Sequence, residues 1–147
     1  MTAGSSSVTP VGVLHSSGCS LVVVDRHGDV HTYSSRGVAD LYRLITSGSD
    51  VLEDADLADK VVGKGAAALM VLGRIHHLYA DVVSRPALEM LREATIEVEY
   101  STLVDGIINR AGTGPCPVET LCLPLSRPED CLRAISTFLS TVNQQSK

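Results

Sequence analysis

Hydrophobic residues occur along this chain in short β-branched runs and in longer stretches with helical spacing. The run 21–24 is typical of a buried strand, and residues 30–33 follow it after a turn, which predicts an antiparallel hairpin. Residues 75–80 and 96–100 predict two further strands. Because helical segments separate these strands, their connections must be crossovers. We therefore expect a largely parallel sheet with the hairpin at its edge.

Apolar residues three or four positions apart predict helices between and after the strands. One helix covers residues 38–45, and another opens at Ser84. Ser126 and Glu129 form a capping box that opens the last helix. The buried stripe of this last helix is predicted to contain Leu132, Ile135, Leu139 and Val142.

The longest apolar stretch, residues 59–73, is apolar on nearly every side, which predicts a buried central helix. Its small residues, among them Gly63 and Gly65, would let a neighbouring backbone come close. Its polar residues lie in the first turn, where a helix has spare N–H groups and a partial positive charge. We therefore expect this N-terminus to face a ligand site. Residues 50–59 carry five carboxylates without EF-hand spacing and are interpreted as a solvated acidic lead-in.

These elements predict a single α/β domain with three α-β-α layers over residues 13–142. The 147-residue length fits one domain of ordinary size. Residues 1–12 are rich in Ser, Thr and Gly and are expected to form a disordered leader. Residues 143–147 are polar and are expected to fray.

Composition argues against some classes of binding partner and indicates the cellular compartment. The formal net charge of −5 argues against a nucleic-acid partner, which usually needs a basic patch. No run reaches the ~18 apolar residues of a membrane span. The four cysteines include no C-x-x-C pair, and the first residues lack the features of a secretion signal. Reduced thiols in the cytoplasm are therefore expected.

Two lysines are candidates for binding an anion. If residues 59–73 form one helix, Lys60 and Lys64 are one turn apart and share a face. Like charges beside the positive end of a helix destabilise it unless an anion lies nearby. That anion is either a ligand phosphate or carboxylate, or an internal carboxylate from the acidic segment 50–59.

Cys116 is the cysteine with the clearest chemical context. If Pro117 begins a helix, Cys116 is its N-cap and Glu119 lies three residues later, as in a capping box. The helix end and the neighbouring Arg110 would stabilise a thiolate, which suits a nucleophile or a redox-sensitive thiol. The alternative is a buried cap thiol with no chemical role.

The loop before Cys116 is a second candidate for anion binding. Asn109, Arg110 and Thr113 lie in a Gly-broken segment that ends at a predicted helix. Such a loop can direct backbone N–H groups at an anion. The alternative is that these residues are polar simply because the loop is solvated.

Two motifs carry a resemblance to a known family. Residues 59–68 (Asp-Lys-Val-Val-Gly-Lys-Gly-Ala-Ala-Ala) and 108–119 (Ile-Asn-Arg-Ala-Gly-Thr-Gly-Pro-Cys-Pro-Val-Glu) resemble an uncharacterised domain-of-unknown-function family. The resemblance covers about residues 14–139. It implies a cytidine-deaminase-like fold and no established activity.

The chain departs from true deaminases at the residues that bind zinc. Zinc deaminases carry His-x-Glu at the start of the central helix and Pro-Cys-x-x-Cys at the start of the next one. Here residues 59–61 are Asp-Lys-Val, and residues 84–87 are Ser-Arg-Pro-Ala. We therefore expect no metal site and no cofactor, and deaminase chemistry is not carried over.

The leading hypothesis is a site for a small anionic, nucleotide-like ligand between the central helix and the 109–119 loop. In an enzyme version, Cys116 is the nucleophile and Glu119 or Asp59 is the acid or base. The alternative is a non-catalytic binding or scaffold module, with homo-oligomer formation left open. The candidate catalytic residues are Cys116, Glu119 and Asp59, and the candidate ligand-binding residues are Lys60, Lys64, Asn109, Arg110 and Thr113.

Overall fold

The computed structural model describes residues 9–35, 38–109 and 111–145, with side chains up to residue 141. Within these residues the strands are β1 Leu21–Val24, β2 Val30–Tyr33, β3 Asp56–Val62, β4 His77–Ser84 and β5 Glu97–Val104. The helices are α1 Pro10–Ser17, α2 Ala39–Thr46, α3 Lys64–Gly73, α4 Arg85–Glu93, α5 Pro117–Cys122 and α6 Pro128–Gln145.

The five strands form one mixed sheet in the order β2-β1-β3-β4-β5. Strand β1 pairs antiparallel with both β2 and β3. Strands β3, β4 and β5 are parallel to one another, and helices α3 and α4 connect them. The predicted α/β class and the antiparallel edge hairpin are therefore confirmed.

The prediction for residues 56–62 is wrong, although the carboxylates of Asp50 and Glu53 before them are solvated as expected. Residues 56–62 form β3 in the middle of the sheet, instead of a solvated lead-in followed by a helix. Leu57, Ala58 and Val62 are completely buried, Leu57 and Val62 in the main core and Ala58 against Leu14 of α1 on the other face of the sheet. The carboxylates and the lysine of this strand break its apolar pattern, so the sequence hid a central strand. Helix α3 begins at Lys64, after Gly63 in an extended conformation.

The burial predicted for the central helix is confirmed for α3. Residues 65–70 are all buried, because α3 packs against α4, α6, α2 and α5 as well as the sheet. A Cβ atom added at Gly65 would lie 2.5 Å from Cγ1 of Val118 in α5. The small residues of α3 therefore permit close packing, as the sequence suggested.

The opposite face of the sheet carries α1. Leu14 and Cys19 pack there against Val22 of β1 and Ala58 of β3. Helix α1 begins at Pro10, inside the segment predicted as a leader, while residues 1–8 lie outside the described part of the chain. The apolar layer on this face is thin. Much of the same face of β4 and β5 carries polar side chains.

Helix α6 confirms the predicted stripe at three of its four positions, since Ile135 is fully buried and Leu132 and Leu139 pack against the core. The side chain of Val142, the fourth position, lies outside the described residues. The predicted cap is not observed. The helix begins at Pro128, and the side chain of Ser126 makes no hydrogen bond within the described residues. Within those residues, no helix has the length and hydrophobicity needed to cross a membrane.

Candidate functional site

The carboxyl ends of the parallel strands meet the starts of two helices. Strand β3 ends at Val62 just before α3, and β4 ends at Ser84, which is the N-cap of α4. The loop that follows β5 passes the same edge at Ile107. In open α/β sheets ligands commonly bind at this edge. A ligand site is therefore expected at this edge.

Glu119 of α5 occupies this edge with its own carboxylate. The residue is only 4% exposed. Its Oε2 atom accepts a hydrogen bond of 2.9 Å from the backbone N–H of Lys64, and its Oε1 atom accepts one of 2.7 Å from Ile107. The hydroxyl of Ser84 donates a further hydrogen bond to Oε2. We call Glu119, Lys64, Ser84 and Ile107 the Glu119 cluster.

The carboxylate of Glu119 meets the positive end of α3. Anions are favoured there because the first N–H groups of a helix lack partners within the helix. Gly63 allows this approach, because a Cβ at that position would lie 3.3 Å from Oε2 of Glu119. The ammonium group of Lys64 donates to the carbonyl of Leu123 at 2.9 Å. The backbone N–H and the ammonium group of Lys64 therefore each bond to an acceptor within the chain.

Ser84 belongs to the site, although sequence analysis treated it only as the start of a helix. Its Oγ accepts from the N–H of Ala87 at 3.2 Å, so it caps α4, which begins where the sequence predicted. The same hydroxyl also donates to Glu119, which lies 35 positions away. No local pattern could show this contact, because the two residues meet only when α5 packs over α3.

Cys116 is the N-cap of α5, as predicted, but the predicted capping box is not formed. The side chain of Cys116 makes no cap hydrogen bond, and its N–H donates to the carbonyl of Ile107 at 2.8 Å. Glu119 bonds across to α3 instead of back to Cys116. Helix α5 spans only six residues. A helix of this length has a weak dipole at its N-terminus, where the half-buried thiol lies.

The other cysteines are buried thiols. All four cysteines are free. Burial raises the pKa of the Cys122 thiol to about 12, and burial also raises the pKa of Cys131. Thiolates are the reactive form of cysteine, so these two residues are protected from thiol chemistry.

The prediction that Lys60 and Lys64 share a helical face is wrong. Lys60 is an exposed residue of β3, where its positive charge acts on Asp81 of β4. Asp59 is buried in the same strand, and burial raises the pKa of its carboxyl to about 7. Within the described residues neither side chain bonds to Cys116 or Glu119. The residues predicted to form one site therefore lie in separate parts of the structure.

The loop after β5 uses its polar groups to close on itself. The side-chain amide of Asn109 donates to Oγ1 of Thr113 at 3.2 Å. The N–H of Thr113 donates to Oδ1 of Asn109 at 3.1 Å, and Ile108 and Pro115 form a single antiparallel bridge. Arg110 lies outside the described residues. The observed bonds of Asn109 and Thr113 thus serve the loop itself.

A cavity lies at the opposite end of the parallel strands from the Glu119 cluster. It has a volume of about 560 Å³ and is lined in part by two histidine–carboxylate pairs. Nδ1 of His76 lies 3.0 Å from Oδ1 of Asp56, and Nε2 of His77 lies 3.1 Å from Oε1 of Glu99. The side-chain hydrogen bond with Asp56 raises the pKa of His76. Across the described ranges, no three His, Cys, Asp or Glu residues are arranged to hold a metal ion.

Comparisons with known proteins place this chain among related domains. Residues 11–139 match the family described as TM1506, domain of unknown function (DUF1893). The crystal structure of a DUF1893 family protein (TM1506) from Thermotoga maritima is similar, with a TM-score of 0.78 and 26% identity. That similarity covers 86% of this chain and 85% of the Thermotoga chain. No curated protein matches the chain. The chain therefore belongs to the DUF1893 family of domains of unknown function.

Proposed function

We propose that this domain is a cytoplasmic, non-catalytic scaffold module in which Glu119 takes the place of a small anionic ligand. The observation that carries the proposal is the set of three donors that converge on its carboxylate. A ligand phosphate at the start of α3 would compete with that carboxylate for the same N–H group.

Displacement of Glu119 by a ligand would be costly. Glu119 is only 4% exposed as a residue and Ser84 is completely buried, so an expelled carboxylate must find new partners while a second anion enters. Burying an unpaired charge is strongly unfavourable. The packed arrangement therefore supports an internal, permanent anion more than an exchangeable one.

The enzyme alternative requires a base for Cys116. An activated nucleophile usually lies within hydrogen-bond reach of its base. Among the described residues no side chain bonds to the thiol of Cys116, and the carboxylate of Glu119 bonds elsewhere. This geometry favours the non-catalytic scaffold module over a thiol-dependent enzyme.

We also propose that the domain shares the fold of cytidine deaminases without their chemistry. The starts of α3 and α4 both bond to one oxygen of Glu119, so they lie side by side. This supports the resemblance, because deaminases carry their two zinc motifs at neighbouring helix starts. In this chain the start of α3 carries Gly63-Lys64-Gly65, whereas the sequence had predicted residues 59–61 there. The start of α4 carries Ser84-Arg85-Pro86-Ala87.

Thermal unfolding with added anions tests the proposed function. We expect phosphate and AMP to raise the melting temperature no more than potassium chloride of equal ionic strength. A specific ligand at 100 times its Kd would stabilise the fold by about 2.7 kcal/mol, which such melts detect readily. A saturable rise with phosphate or AMP, and not with chloride, would overturn the proposal.

Alkylation of Cys116 tests the enzyme alternative separately. Mass spectrometry can follow iodoacetamide at this residue, because the other three cysteines are buried. We expect the rate to be unchanged by phosphate, by AMP and by Lys64→Met. Protection of Cys116 by either anion, lost in Lys64→Met, would instead support the anion-dependent thiol enzyme.

A further inference from the structure

We propose that the outer edge of β5 is a self-association surface that pairs antiparallel with β5 of a second copy of this chain. Strand β5 is the last strand of the sheet and spans eight residues. One side pairs with β4, and within the described ranges no segment pairs with the other. Unpaired strand edges present N–H and C=O groups that readily add another strand.

The centre of this edge has an exposed aromatic residue beside a small cavity. Tyr100 is 38% exposed, and it is the aromatic residue of β5. A cavity of about 200 Å³ between α4 and β5 adjoins it. Its lining residues are Arg85, Leu88, Glu89, Arg92, Tyr100 and Leu103. An aromatic ring from a second copy would find apolar carbon and guanidinium groups there, both favourable neighbours.

The residue order within β5 favours pairing about Tyr100. A two-fold axis at Tyr100 sets the two tyrosines opposite each other, with Glu99 opposite Ser101 and Val98 opposite Thr102. No carboxylate then faces another. An axis at Ser101 would instead place Glu97 opposite Asp105, and like charges at directly opposite positions destabilise a strand pair.

These features point to a second copy as the occupant. A two-fold interface must be complementary to itself, so each residue of one copy must suit its counterpart in the other. The segment from Val98 to Thr102 meets this condition with Tyr100 on the axis. The opposite edge, β2, spans only four residues and offers a shorter surface.

Analytical ultracentrifugation of the full chain tests this inference with two opposite substitutions. We expect a reversible dimer whose fraction rises with protein concentration. In the proposed register Ser101→Lys creates two Lys–Glu99 pairs, and Ser101→Glu creates two Glu–Glu99 pairs. Each cross-strand pair has a modest effect, so Kd should fall roughly fivefold in the first variant and rise roughly fivefold in the second.

The opposite edge of the sheet provides the matched control. Thr32 is an exposed residue of β2, so Thr32→Lys and Thr32→Glu should leave the dimer Kd unchanged. Circular dichroism and urea melts establish that each variant is folded. The inference is overturned if the parent protein stays monomeric at high concentration. It is also overturned if both Ser101 variants shift Kd in the same direction or if the Thr32 variants act as strongly. Neither Ser101 nor Thr32 belongs to the Glu119 cluster, so the two proposals fail independently.

Discussion

Replacement of Asp59 by asparagine isolates the effect of a buried carboxyl group in the middle of the sheet. Asp59 lies in β3, where it pairs with Leu21 of β1 and Ala80 of β4, and it is 9% exposed. Burial raises the pKa of its carboxyl from 3.8 to about 7, although backbone N–H groups of Val61 and Lys60 offset part of the effect. Asparagine keeps the shape of the side chain and cannot ionise.

The sign of the pH effect follows from this raised pKa. Between about pH 4 and pH 7 the folded state retains a proton that the unfolded state has released, so stability falls as pH rises. The stabilisation from the protonated carboxyl is complete at low pH and is lost as pH passes through the folded value. A shift of about three pKa units corresponds to ~4 kcal/mol of unfolding free energy.

Urea denaturation of the parent and of Asp59→Asn should show this effect. The free energy of unfolding of the variant, relative to that of the parent, should increase by ~3–4 kcal/mol from about pH 4.5 to about pH 8. Asp105→Asn is the control, since the side chain of Asp105 is 92% exposed and its substitution should give a nearly flat difference. A difference that is independent of pH for Asp59→Asn would refute the reasoning.

Three further stability predictions concern helix packing and capping. Gly65→Ala should lower the unfolding free energy by ~1–3 kcal/mol, since its Cβ would lie 2.5 Å from Val118. A urea midpoint at or above that of the parent would contradict this. Ile135→Ala should lower the unfolding free energy by ~2–5 kcal/mol because the residue is completely buried. An unchanged urea midpoint would show that α6 is not part of the core. Ser126→Ala should change stability by less than ~0.5 kcal/mol, and a loss near 1 kcal/mol would restore the predicted cap.

Local patterns were sufficient for several elements of this fold. The β-branched run at 21–24 and the turn after it predict the hairpin that pairs Leu21 with Tyr33. The apolar residues of α3 predict a helix covered on all sides, and Ser84 is recognisable as an N-cap. Each of these features depends on residues that are close in sequence.

The central strand β3 could not be predicted in this way. Its alternation is broken by Asp56, Asp59 and Lys60, so the segment resembles an acidic lead-in to a helix. A buried carboxyl such as that of Asp59 destabilises the folded state locally, and packing by β1 and β4 offsets this cost. That compensation comes from strands distant in sequence, so the local pattern cannot show it.

The Glu119 cluster was missed for a related reason. The spacing of Cys116 and Glu119 predicts a local capping box. The observed partners of Glu119 are instead Lys64, Ser84 and Ile107, at sequence separations of 55, 35 and 12. Glu119 and Lys64 were both candidate site residues from the sequence, but no local pattern could show that the N–H of Lys64 donates to Glu119.

The unfolding free energy of Glu119→Gln tests most directly whether this carboxylate serves as the internal anion of the domain. The amide keeps the shape but loses the charge, and its NH₂ group cannot accept the hydrogen bond of a buried N–H. We predict a loss of ~2–4 kcal/mol, from weaker charge-assisted bonds and one unpaired buried donor. Glu129→Gln, at an exposed position of α6, should change stability by less than ~0.5 kcal/mol. A urea midpoint for Glu119→Gln equal to that of the parent would contradict the account.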